Sequence, residues 1–173
     1  MESELGELLT LWSVRLAVAC YVLRLGFDVS GSAAPRAGRA ALWFWTVGCL
    51  LFTVHVVCAF HFYHGWSHAA AYEHTAQQTA AVVGIDWGGG LYFNYLFAGV
   101  WMLDVAAWWR FGDLHLNQRG LFWSVQVLFA FTFINATAIF GPPFWKWVVV
   151  VVVVGLTLIR VAGRRRRPDR PSE

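Results

Sequence analysis

Apolar residues in this chain fall into long unbroken runs, without the alternation of a half-buried strand or the one-sided stripe of a surface helix. Five runs stand out, over residues 8–27, 42–63, 91–109, 121–140 and 144–162. Each approaches the ~20 residues a helix needs to cross a hydrocarbon core about 30 Å thick. The first is the weakest, because it contains Arg15 and Arg24, and the last is short but all valine from 148 to 154. The pattern predicts an all-α integral membrane protein of about five transmembrane helices. A single membrane domain, 8–163, then lies between an outer N-terminal tail, 1–7, and a basic C-terminal tail, 164–173.

The connections differ in character. SGSAAPRAGR, between the first two runs, is rich in Gly, Ser and Pro and reads as a flexible loop. The second connection is longer and Ala-rich, with Gln77 and Gln78 in its middle. Gly65 predicts a break there, Ser67 an N-cap, and Gly84 the end of a short helix over 68–83 lying near the membrane surface. The competing expectation is one continuous helix over 41–83, more than ~60 Å long at 1.5 Å per residue. In GPPFWKW, Pro142 and Pro143 stop the fourth span, and Trp145, Lys146 and Trp147 anchor the fifth at the interface.

Charge sets the orientation. Arg36 and Arg39, Arg110 and Arg119, and the arginines of the tail all fall on one side if there are five spans and the N-terminus is outside. By the positive-inside rule that side is the cytoplasm, as in a bacterial inner membrane. Four spans would put one of these groups on the wrong side. The composition agrees: 58% of the 173 residues are hydrophobic and 13% charged, with eleven Trp and fourteen Phe, beyond the soluble range. The net charge of +3 therefore marks an inner face and not a nucleic-acid surface. The tail RRRRPDRPSE is expected to hold anionic lipid, at about 1 kcal/mol per basic residue. The first twelve residues, MESELGELLTLW, are acidic where a secretory signal is basic, so the first run is expected to stay as a span. Cys20, Cys49 and Cys58 form no metal-binding pattern and read as packing residues.

Ionisable groups inside a span are functional candidates. Here they are Arg15, Arg24, His55, His61 and Asp104, with Asn94, Gln126 and Asn135 as neutral company. Arg24 and Asp104 come to similar depth in the inner half and are expected to pair, which either fixes two helices or marks a proton or ion path. His55, His61, Asn94 and Asn135 are expected to form a polar layer toward the outside.

Five of the six histidines lie between 55 and 74, four of them within HFYHGWSHAAAYEH. On a continuous helix His61, His64 and His68 share one face, which suits zinc, copper or iron. His74, Glu73 and Asp86 are at hand to complete the shell. HGWSH resembles the first histidine box of membrane fatty-acid desaturases and hydroxylases, but the HxxHH boxes of those enzymes are absent. His55 and His68, 13 residues apart, resemble the spacing of haem ligands on one helix of cytochrome b proteins. Those haems take a second axial ligand from another helix, and no other span here has a histidine. Neither a phosphate-binding loop nor a Gly-x-Ser-x-Gly motif is present.

The leading expectation is an accessory or assembly component, associated with another membrane subunit, whose outer histidines bind a transition metal. The rivals are a metal- or haem-dependent redox enzyme built on the same cluster, and a conduit through Asp104. Whether the chain is an enzyme is left open by its sequence.

Overall fold

The computed structural model describes residues 2–30, 35–112 and 119–165. All regular structure among them is helical. In chain order the elements are α1 (Glu2–Ser30), α2 (Pro35–Phe62), α3 (His68–Val83), α4 (Gly90–Phe111), α5 (Arg119–Ile134) with a π-helical turn at Asn135–Ile139, and α6 (Phe144–Arg165). Four helical segments are long and apolar enough to cross a membrane: Glu4–Ser30, Gly38–Phe62, Gly120–Thr137 and Phe144–Gly163. The five-span expectation is thus met in four. The helix left out is α4, whose surface is mainly aromatic and which carries Asn94, Asp104 and Arg110. Hydropathy scales rate Tyr and Trp well below Leu or Val, because each ring carries a polar tip.

Two boundaries differ from the sequence-based expectation. Residues 2–7, expected as a tail, extend α1 by nearly two turns. The last helix runs on to Arg165, two residues into the expected tail. The rest of that tail, with its arginines at 166, 167 and 170, lies outside the described residues, as does His115.

The helices α1 and α2 form an antiparallel hairpin. Gly6 of α1 faces the ring of Phe62, Thr10 meets His55, Tyr21 meets Trp45 and Phe27 stacks on Phe44. Gly48 lets α4 approach this hairpin closely. A Cβ there would stand 2.9 Å from the Trp101 ring, inside van der Waals contact.

The core is aromatic and gathers around Trp45, which is fully buried together with Trp101 and Phe129. Their ring centroids lie 4.9 and 4.6 Å from that of Trp45. The Trp101 indole N–H also donates to the Trp45 carbonyl at 3.2 Å. Four helices, α1, α2, α4 and α5, meet at this one ring. Between helices in lipid, packing and hydrogen bonds do the work that hydrophobic exclusion does in water, and large flat rings offer the most contact for each side chain ordered.

The helix predicted over 68–83 is present with its expected caps. Ser67 is extended and its hydroxyl accepts from the Ala70 amide at 3.2 Å; Gly84 ends the helix in the left-handed conformation. The break before it is made by Gly65 and Trp66, with φ of 51° and 60°. A left-handed Trp is costly for an L-residue. Here its N–H bonds the Phe60 carbonyl at 3.0 Å and its indole donates to His61 Nδ1 at 3.3 Å. Replacing Ser67 with alanine is expected to destabilise the first turn of α3 by about 1 kcal/mol. Faster hydrogen exchange at the Ala70 and Ala71 amides, with the rest of α3 unchanged, would report it.

Candidate functional site

Two groups of polar side chains merit description, one buried at the core and one at the cap formed by the end of α2, α3 and the start of α4.

The buried group is built on Arg24, which is 1% exposed. Its Nη2 lies 3.4 Å from Asp28 Oδ2, one helical turn on. Its guanidinium carbon lies 4.3 Å from the ring centre of Trp45, 5.5 Å from Trp108 and 5.8 Å from Phe122. Nε and Nη1 have no hydrogen-bond partner. The cation is therefore held by one carboxylate and three aromatic faces, whose electron-rich quadrupoles attract it most strongly where water is excluded. Trp45 then donates its indole N–H to Asp104 Oδ2 at 2.8 Å. Arg24 and Asp104, expected to pair, thus share Trp45: one lies over its ring and the other accepts from its edge. The direct ion partner of Arg24 is Asp28. The sequence reading missed it, although the i,i+4 spacing of opposite charges was there to find.

Of the other candidates at membrane depth, His55 is half-buried and its Nδ1 lies 2.8 Å from the Thr10 carbonyl. Asn135 donates to the Phe131 carbonyl one turn back at 2.8 Å, and Asn94 is exposed. The expected polar layer is therefore dispersed into separate contacts. Arg15 is half-buried with its guanidinium 5.3 Å from the Trp12 ring centre.

At the cap, the break at Gly65 removes the single face on which His61, His64 and His68 would have stood together. His61 accepts from Trp66. The ring of His64 lies 5.4 Å from that of His74, and the Gln78 amide stands 2.9 Å from His74 Nε2. His68 turns toward α4, its Nδ1 3.1 Å from the Tyr95 hydroxyl, with Tyr92 beside it and Tyr72 against Tyr92. Glu73 and Asp86 are exposed. Among the described residues no three His, Cys, Asp or Glu side chains come together as metal ligands. A donor set of two imidazoles falls short of the four ligands of a structural zinc site and the three of a catalytic one, and no metal chemistry is derived from it.

The chemistry left to the cap is protonation. The His64 imidazole is held below its ordinary value near 6.5, first by partial burial, here beside Phe60, and second by the facing His74. The proton is then bound more readily by the opened cap than by the closed one. Closure is thus unaffected above pH 6.5 and is weakened as pH falls from 6.5 toward the lowered value. The ring-proton NMR shift of His64, followed from pH 8 to 5, should titrate below 6.5 in the native chain and nearer to 6.5 in His74→Gln. An equal midpoint in both would exclude the facing imidazole as a cause.

No protein-family model matches the chain, and no curated protein or solved structure matches it.

Proposed function

We propose that the chain is a five-span integral membrane protein, N-terminus outside, that serves as a non-catalytic accessory or assembly component. The observation that carries this is the state of its polar groups at membrane depth. Arg24 and Asp104 meet across Trp45, Arg24 is paired with Asp28 within α1, and His55 is tied to the main chain of α1. Apart from Asp28, which also borders a cleft, these groups join helices and do not converge on an open site as catalytic or conducting groups do.

Counting α4 as the third span supports the orientation, since Arg39 and Arg110 then share the inner side and the cap faces out. Exposed Trp66, Trp87 and Tyr92 suit the headgroup level there, with α3 lying along it. The enzyme reading requires the cap histidines to act as one metal or haem centre, and the conduit reading requires a path past Trp45. Neither draws support from the contacts described.

Cysteine labelling tests the threading. Asp86→Cys should react with a membrane-impermeant maleimide in intact cells, and Ser32→Cys only after permeabilisation; the reverse would overturn it. The accessory role predicts that the chain, extracted from its native membrane in mild detergent, migrates in a larger assembly. That assembly should persist in a His61, His64 and His68 triple alanine variant. A protein that runs alone and holds stoichiometric metal or haem, lost in the variant, would make it a redox protein instead.

A further inference from the structure

On the inner half of the molecule α1, α5 and α6 do not close against one another along their whole length. At their inner ends α1 and α6 meet, where Gly163 of α6 lies against the Ser30 carbonyl of α1, and a cleft of about 620 Å³ remains between these helices and α5. Its walls are apolar: Leu25, Phe122, Trp123, Val127 and Ala130. Polar groups enter at two levels. Asp28 and Arg160 line the inner mouth, and Gln126 lies in the wall, deeper by about one helical turn, with a buried Oε1 that has no hydrogen-bond partner.

We propose that this cleft binds one phospholipid with a phosphoethanolamine headgroup. Opposite charges line the mouth, Asp28 for the ammonium and Arg160 for the phosphate, and match a zwitterion. The Asp28 carboxylate is 31% exposed even while its Oδ2 contacts Arg24, so it remains within reach from the cleft. A primary ammonium offers it three N–H donors, which a trimethylammonium lacks. In a phospholipid the ester carbonyls lie just below the headgroup, at the level of Gln126. Gln126 lines the cleft, and the N–H groups of its amide can donate to such a carbonyl. The acyl chain then runs along Val127 and Ala130. The proposal goes beyond the accessory role and rests on the threading only for which leaflet the cleft faces, so failure of either leaves the other standing.

The test uses the full chain in lipid-free detergent, titrated with micelles doped with dioleoyl phosphatidylethanolamine, phosphatidylcholine or phosphatidylglycerol. Retained lipid is counted by native mass spectrometry and thermal unfolding is followed in parallel. One phosphatidylethanolamine should be retained per chain and raise the unfolding temperature more than the other two lipids. Arg160→Gln and Asp28→Asn should each weaken retention roughly tenfold, the scale of one charge-assisted hydrogen bond, and Ala130→Phe should abolish it. Arg160 and Ala130 are exposed, so their variants are expected to fold. Equal retention of all three lipids, preference for phosphatidylglycerol, or retention unaltered in both Arg160→Gln and Ala130→Phe would overturn the proposal.

Discussion

Replacing Trp45 with alanine is expected to be the most destabilising single change in this protein, at about 3–5 kcal/mol. The ring is fully buried at the junction of four helices, so its removal leaves a cavity that rigid helices close only in part. It also removes the aromatic face nearest Arg24 and the indole donor of Asp104. Trp45→Phe separates these terms. Phenylalanine keeps most of the packing and a cation–π face but has no N–H, so Asp104 loses one hydrogen bond in a buried place. The cost of that should be about 1–3 kcal/mol. Unfolding in a graded detergent–SDS mixture should rank the native chain first, Trp45→Phe second and Trp45→Ala last. If Trp45→Phe were as stable as the native chain, the bond to Asp104 would contribute nothing and the core would be held by ring packing alone.

This hub was not legible in the sequence, though much around it was. A membrane helix is announced by an apolar run because lipid cannot satisfy an open backbone, so the runs predicted where the helices lie. Caps are equally local, which is why Gly65, Ser67 and Gly84 bounded α3 correctly. What the run ALWFWTVG conceals is which of its three aromatic rings points inward: Trp43 is exposed, Phe44 half-buried and Trp45 fully buried. In a helix apolar all round, periodicity carries no facing information. The histidines failed for another reason. Their spacing was meaningful only on an unbroken helix, and the same Gly65 that announced α3 separates His61 and His64 from His68. Tyr95, which bonds His68 from α4, was out of reach of any local pattern, since 27 residues separate the two. The span count marks a further limit. The helix α4 is counted as a span on charge placement, through Arg110 at its end, and falls short on hydropathy, through its Tyr and Trp rings with Asn94 and Asp104.

The second large effect concerns how Arg24 and Asp104 share Trp45. Asp104→Leu removes a buried carboxylate and leaves the cation above Trp45 with Asp28 as its direct ion partner. Loss of one member of a buried charge set typically costs about 3–5 kcal/mol, and that is the expected loss here. Arg24→Met should cost less. Its thioether fits among Trp45, Trp108 and Phe122 with favourable sulfur–ring contacts, and it carries none of the donors that now lie unsatisfied at Nε and Nη1. The carboxylate it abandons, Asp28, is partly exposed and keeps access to water. The double variant is expected to be more stable than the sum of the two losses by about 0.5–3 kcal/mol, because part of the Asp104→Leu loss is the weaker compensation of the buried Arg24 cation, and Arg24→Met removes that cation. Repeating the cycle on a Trp45→Phe background should shrink that coupling, since the ring over which Arg24 sits would no longer donate to Asp104. Strict additivity in the native background would mean that Trp45 insulates the two charges from each other, and the network would then reduce to two independent contacts on one ring.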